Sequence, residues 1–154
     1  MNLDNVIIGP AIVSEVSQIL EIQKAAFRYE AEIYGRDDLP PMRQTLESMI
    51  EDFGKYDFFK ASYNKEIIGS VRALVKGNTC YIGRLVVLPK CHKHGIGSKL
   101  MDSLEQKYAG YRFELFTGKK SIDNIRFYSK RGYTIYDEFS EADNIVLVKM
   151  EKQL

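Results

Sequence analysis

Apolar positions along this chain change period several times, and each change marks an element. Asn5 to Ile8 reads as a short strand, stopped by Gly9-Pro10. Val16, Ile19, Leu20 and Phe27 then recur at helical spacing, with Gln23 as a polar member of the stripe. Ser14 stands where an N-cap belongs and Gly35 where a left-handed C-cap belongs, so the spacing predicts a helix running to Tyr34. The stretch Arg36-Asp37-Asp38-Leu39-Pro40-Pro41 reads as a loop. Leu46, Met49, Ile50 and Phe53 stand at i, i+3, i+4 and i+7, which predicts a second amphipathic helix stopped by Gly54.

Strand-forming runs follow. Phe58–Tyr63, Ile67–Val75 and Thr79–Leu88 are predicted strands, separated by turns at Asn64-Lys65 and Lys76-Gly77-Asn78. The third run breaks its own alternation: Cys80 and Ile82 share one parity, Leu85 and Val87 the other. One extra residue near Gly83-Arg84, a β-bulge, would bring all of them to one face. Beyond Pro89, Ile96, Leu100, Leu104 and Tyr108 line a third helix. Arg112–Thr117 is a strand, Ser121 caps a short helix that ends at Gly132, and Tyr133–Phe139 and Ile145–Met150 are the last strands. The order β-α-α-β-β-β-α-β-α-β-β joins hairpin-connected strands to later βαβ crossings. It predicts an α/β (α+β) fold with a mixed, mostly antiparallel sheet covered by helices.

Composition narrows the function classes. The 154 residues suit a single domain, 1–154, and 45% hydrophobic with 28% charged residues is ordinary for a globular protein. The formal net charge is +1 and Lys and Arg are spread along the chain, which argues against a nucleic-acid partner. No apolar run approaches the roughly 18 residues that cross a bilayer, and MNLDNVIIGP lacks the features of a secretory signal. A cytoplasmic location without membrane association is therefore expected. Cys80, in an apolar run, reads as a buried free thiol and Cys91, in a polar loop, as incidental; their spacing fits no zinc or redox site, and no metal is expected.

The chemistry concentrates between Leu85 and Leu100. A strand ends at Leu85-Val86-Val87-Leu88-Pro89, a basic loop follows, and Gly95 and Gly97 open a helix. A helix start leaves backbone N–H groups unpaired, its dipole favours an anion, and residues without Cβ atoms let a phosphate come close. Lys90, Lys93 and Lys99 add positive charge nearby. GxGxxG is absent, because Leu100 stands where the third glycine belongs, and so is GxxxxGK[ST]. A glycine-containing loop that only turns the chain is the plain alternative.

The segment His92-Lys93-His94-Gly95-Ile96-Gly97 resembles the Q/R-x-x-G-x-G/A motif of the GNAT superfamily of N-acetyltransferases, with His92 departing at the first position, and Val87-Leu88-Pro89 resembles that family's V-x-P. Downstream, Ser121 to Tyr133 resembles N-x-x-A-x-x-x-Y-x-x-x-G-F/Y: Tyr128, Gly132 and Tyr133 match, whereas Ser121 and Asn124 replace Asn and Ala. The likeness spans nearly the whole chain and is strongest from Leu85 to Tyr133. It implies a mixed sheet splayed in the middle and flanked by about four helices. It implies that the backbone of Leu85, Val86 and Val87 holds the pantetheine arm of acetyl-CoA as cosubstrate, and that of His92, Lys93, His94, Gly95, Ile96, Gly97 and Ser98 the pyrophosphate. Ser121, Asn124, Phe127, Tyr128 and Lys130 complete that site.

The resemblance further implies transfer of the acetyl group to a primary amine by direct attack in a ternary complex, with Tyr128 as general acid to the leaving thiolate. Glu30 and Glu114 are the candidate bases, although each also reads as an ordinary surface carboxylate and a water chain is the alternative. His92 and His94 read as loop residues at the phosphate end. Tyr29, Tyr34, Asp37 and Arg84 are the candidate acceptor-binding residues. The carboxylates and tyrosines from Tyr29 to Asp38 favour a small cationic amine or a lysine-bearing acceptor; Arg84 and Arg36 favour one that carries a carboxylate. The competing readings are a catalytically silent acyl-CoA-binding sensor, an interaction domain forming a homodimer through a C-terminal strand, and a nucleotide-binding α/β protein.

Overall fold

Local chemistry moves several predicted boundaries. In the computed structural model, which describes residues 1–153, the Asn2 side chain accepts from the Asp4 N–H and closes a short turn over Leu3–Asn5. Strand β1 therefore spans Ile7–Pro10 rather than starting at Asn5; Pro10 is tolerated because β1 is an edge strand. Helix α1 spans Val16–Tyr34, entered through a 3-10 turn at Val13–Glu15. The N-cap position of α1 is Glu15 and not Ser14, and no side chain caps it; the Glu15 carboxylate instead accepts from the Ile12 N–H at 2.9 Å and closes the 3-10 turn. Gly35 closes α1 in the left-handed conformation, at φ 62°.

Gln23, the polar residue in the apolar stripe of α1, is buried, and its amide donates to the Pro41 carbonyl and to Gln44 Oε1, both at 2.9 Å. Those partners sit on a one-turn helix, α2 (Pro40–Arg43), and in the link to α3 (Leu46–Phe53). The predicted loop through Pro40-Pro41 thus ends in a helical turn. Proline fits the first turn of a helix because the N–H it lacks has no intrahelical partner there.

Strands β2 (Asp57–Tyr63), β3 (Glu66–Lys76) and β4 (Thr79–Val87) form an antiparallel meander. Helix α4 (Ile96–Lys107) leads to β5 (Arg112–Gly118), α5 (Ile122–Lys130), β6 (Thr134–Ala142) and β7 (Ile145–Gln153). The seven strands make one sheet in the order β1-β2-β3-β4-β5-β7-β6. Only β4 and β5 run parallel, and every other neighbouring pair is antiparallel. Among the described residues, no helix is long and apolar enough to cross a membrane.

The register of β3 on β4 slips between Ser70 and Arg72, and opposite the slip Arg84 takes the left-handed conformation, at φ 53°. This is the bulge the broken parity predicts. Cys80 and Ile82 before it, and Leu85 and Val87 after it, pack in one core against α4, whereas Val86 packs on the other face against α1. Cys91, expected in a polar loop, is buried in the α4 core at 3% exposure, because the turn at Pro89–Cys91 folds it inward.

A polar network sits at the C-terminal end of α4. Glu105 is 9% exposed and accepts from the Tyr133 hydroxyl at 2.8 Å, Lys152 Nζ at 2.9 Å and Arg131 Nη2 at 3.2 Å. It ties α4 to the end of α5 and to β7.

Candidate active site

The parallel pairing of β4 and β5 covers only Thr79↔Arg112, Cys80↔Phe113 and Tyr81↔Glu114. Both strands run on, β4 to Val87 beside β3 and β5 to Gly118 beside β7, without pairing to each other, so the sheet splays in its middle. The open edge of β4 exposes main-chain donors and acceptors that no neighbouring strand satisfies, a natural place for a ligand to supply the partner.

Two cavities lie along this splay. One, of about 270 Å³, borders the glycine turn and is lined by Ala26, Phe27, Tyr29, Glu30, Leu85, Val86, Val87, His92, Gly97, Asn124 and Phe127. The other, of about 240 Å³, lies over the sheet and is lined by residues that include Tyr34, Tyr56, Arg72, Arg84, Thr117, Tyr128 and Glu141. Phe27, Glu30, Leu85 and Asn124 line both, so they form the junction.

The turn cavity ends on the N-terminus of α4. Gly95 is its N-cap at φ 82°, a conformation glycine adopts without steric cost. The ring of exposed His92 places Nε2 3.0 Å from the Val87 carbonyl oxygen. Lys93 and His94 are exposed, Ser98 is half-buried on the first turn of α4, and Ile96 turns its side chain into the core. Lys99 points elsewhere: its ammonium donates to the Leu3 carbonyl at 3.0 Å and to that of Val6 at 2.5 Å. Lys90 pairs with Glu66 at 3.3 Å. The cationic surroundings expected from three lysines therefore reduce to Lys93 and the helix terminus.

At the junction, Glu30 accepts from the Ser121 hydroxyl and, at 3.1 Å, from Asn124 Nδ2. Ser121 is thus bonded to Glu30 and makes no side-chain cap for α5. Asn124 also donates to Thr117 Oγ1 at 3.3 Å. Tyr128 packs edge-on against Phe127 and Tyr133, with ring centroids 5.1 and 5.8 Å away, and lines the sheet cavity. Burial raises its phenol above the ordinary tyrosine value; Arg131 opposes that rise and Glu30 adds to it.

Several sequence candidates lie elsewhere. Glu114 lines neither cavity and is paired with Arg112 at 2.8 Å. Lys130 is exposed at the end of α5. Tyr29, expected in the acceptor pocket, lines the turn cavity. Asp37 is exposed in its loop and lines neither cavity, while Arg36 is engaged by Asp38 at 2.8 and 2.7 Å. Tyr34 does line the sheet cavity, and its hydroxyl accepts from the Lys120 N–H at 3.1 Å. Sequence reasoning missed Phe27, Tyr56, Arg72 and Glu141. Arg72 carried a signal, being the one charged residue between Ile67 and Val75.

A family model described as an acetyltransferase (GNAT) domain matches residues 29–154. The chain belongs to the GNAT acetyltransferase family. This GNAT domain superposes with a TM-score of 0.82 on the PaiA N-acetyltransferase of Thermoplasma acidophilum, solved in complex with coenzyme A, at 17% identity over 97% of this chain and 99% of that one. With a GNAT family acetyltransferase from Elizabethkingia anophelis, solved with acetyl-CoA bound, the TM-score is 0.74 at 19% identity over 98% and 99% of the two chains. The uncharacterized protein YyaT of Bacillus subtilis is 24% identical over 141 residues, 92% of this GNAT and 90% of YyaT. In this GNAT fold the sheet splays and its two cavities meet at Leu85 of β4.

Proposed function

We propose that this chain is a single GNAT domain, residues 1–154, that transfers the acetyl group of acetyl-CoA to a primary amine by direct attack in a ternary complex. The observation that carries the reading is the pair of cavities joined at Glu30 and Leu85, with the glycine turn at one end and the Tyr128 side chain on the wall of the other. A pantetheine arm lying along the unpaired edge of β4 would bring its thioester to the junction, and the acceptor would approach from the sheet cavity. Cys80 supports direct transfer over an acyl-enzyme: it is buried in the core, lines neither cavity, and burial pushes its thiol up to about 12, so little thiolate forms at neutral pH.

In this mechanism the amine loses a proton and its nitrogen attacks the thioester carbon. The nitrogen then releases its second proton to water, the tetrahedral oxyanion collapses, the C–S bond breaks, and the thiolate leaves and is protonated from solvent. Main-chain N–H groups of the unpaired β4 edge near Val86 and Val87 supply the oxyanion donor. Glu30, a carboxylate already oriented by two donors, attracts the ammonium and takes its proton. Glu30→Gln is expected to lower kcat by about 100-fold, the lower end for a general base, and an unchanged kcat would remove Glu30 from that role. Tyr128 donates a hydrogen bond to the developing thiolate. With its phenol raised above that of a coenzyme thiol, it serves as a neutral donor and does not lose its proton outright.

The direct test of transfer is release of free coenzyme thiol from acetyl-CoA across an amine panel, with mass analysis of the N-acetyl product. No thiol release with any amine would leave the silent-sensor reading in its place. The cosubstrate site is tested separately. A Cβ on Gly97 would meet Phe127 Cζ at 3.5 Å and Leu85 Cδ2 at 3.9 Å, ordinary contacts with two residues that line the turn cavity, so a side chain there adds its bulk beside that cavity. Gly97→Val is expected to weaken acetyl-CoA binding by about tenfold or more, roughly 1.4 kcal/mol, in calorimetry with an unchanged melting temperature. Wild-type affinity in that variant would place the pyrophosphate somewhere else.

A further inference from the structure

We propose that Arg84 is a carboxylate-binding group in the sheet cavity, so that the acceptor is a small amine carrying a carboxylate, an amino acid and not a polyamine. This rests on the acetyl-transfer reading above and deepens it. The sheet cavity contains two guanidinium groups, and they differ in how they are satisfied. Arg72 is neutralised: its Nη1 lies 2.7 Å from Asp52 Oδ2, and its guanidinium sits 4.0 Å from the centre of the Tyr56 ring. Arg84 has a single neutral acceptor, Gln44 Oε1 at 3.2 Å, and that oxygen already accepts from Gln23 Nε2 at 2.9 Å. Among the described residues, no carboxylate lies within ion-pair distance of Arg84, although exposed Glu141 lines the same cavity. A guanidinium has five N–H donors, so most of this fork is free to meet a ligand.

The backbone adds a second observation. Arg84 occupies the bulge at φ 53°, where a residue with a Cβ is strained and the neighbouring Gly83 would not be. The bulge turns a long cationic side chain toward the cavity immediately before Leu85, the β4 residue that lines both cavities. Burial and the charge of Arg72 lower the Arg84 guanidinium to about 10, with Asp52, Tyr56 and Glu141 opposing that shift, so it stays charged at neutral pH, and an incoming anion would offset the repulsion from Arg72. A planar carboxylate matches the fork in a bidentate arrangement that an ammonium or hydroxyl cannot reproduce. With the carboxylate on Arg84 and the amine toward Tyr128 and Glu30, the cavity of about 240 Å³ admits a small amino acid.

The experiment assays amino acids beside their own decarboxylated amines and carboxamides, following thiol release from acetyl-CoA, with wild-type protein, Arg84→Met and Arg84→Lys. In wild type, the best acid should exceed its decarboxylated and amidated counterparts in kcat/KM by about tenfold to a hundredfold, the range for a charge-assisted hydrogen bond. Arg84→Met should pull that ratio toward one, mainly through the KM of the acid, and Arg84→Lys should keep part of it, while the Kd of acetyl-CoA stays at the wild-type value in both. Decarboxylated amines that equal or beat the acids in wild type overturn the proposal and leave acetyl transfer to amines intact. So does a loss in Arg84→Met that is equal for acid and amine. Absence of thiol release with every acceptor overturns both readings. The wild-type comparison needs no variant, so it decides even where Arg84→Met fails to fold.

Discussion

Tyr128→Phe is expected to lower kcat by about 100- to 1,000-fold, the range for removing one preorganised donor to developing charge, while leaving the affinity for acetyl-CoA near wild type. Tyr128 lines the sheet cavity and not the turn cavity, so the substitution leaves the lining residues of the proposed cosubstrate site unchanged. The ring is retained, so its edge-on contacts with Phe127 and Tyr133 survive and the fold is unaffected. The loss therefore belongs to the step in which charge develops on sulfur. The pH dependence separates this role from others. Burial raises the phenol, so the neutral donor persists beyond the ordinary tyrosine value of about 10. Wild-type rates should rise as the amine deprotonates and show no falling limb from Tyr128 below that pH, and the variant should keep the same shape at a lower level. Initial rates of thiol release over the pH range, with calorimetric acetyl-CoA affinity for both proteins, make the check. Wild-type turnover in Tyr128→Phe would take the hydroxyl out of the mechanism.

The second large effect concerns stability. Glu105→Gln is expected to cost about 3–5 kcal/mol, as measured for breaking a buried ion pair from one side. Glu105 is 9% exposed and meets Arg131, Lys152 and the Tyr133 hydroxyl together. The side chains of Arg131 and Lys152 are only 13% and 16% exposed, and Arg131 Nε is already buried without a hydrogen-bond partner. A neutral amide would leave two cations facing one another in a poorly solvated site. Chemical denaturation reads the loss directly, and the triple replacement Glu105→Leu, Arg131→Leu, Lys152→Met should recover much of it, since apolar residues of similar volume often substitute for a buried charge cluster. Asp102 also pairs with Arg131, at 2.7 Å, so that exposed carboxylate would be left without its partner in the triple variant. A Glu105→Gln protein with wild-type stability would mean the network is solvated in solution. The network also bears on the site, because Tyr133, which it holds, packs against Tyr128.

What the sequence determined by itself was whatever a few neighbouring residues decide. The broken parity from Cys80 to Val87 located the bulge at Arg84, because side chains alternate with period two and only an extra residue reverses them. Gly95 and Gly97 marked the α4 terminus, and Gly132, at φ 97°, marked the end of α5, each through local backbone chemistry. The tertiary structure alone decided which side chains meet. Tyr29 and Glu30 are adjacent on α1, yet a step of about 100° around a helix sends Tyr29 to the turn cavity alone and brings Glu30 to Ser121 and Asn124, 91 and 94 positions away. Asp37 and Glu114, plausible by sequence position, fall outside both cavities, while Tyr56, Arg72 and Glu141 enter one. Periodicity specifies the face of an element but not the rotation and splay with which distant elements pack. The composition of a cavity bounded by α1, α2, β3, β4, β5, α5, β6 and β7 depends on those angles.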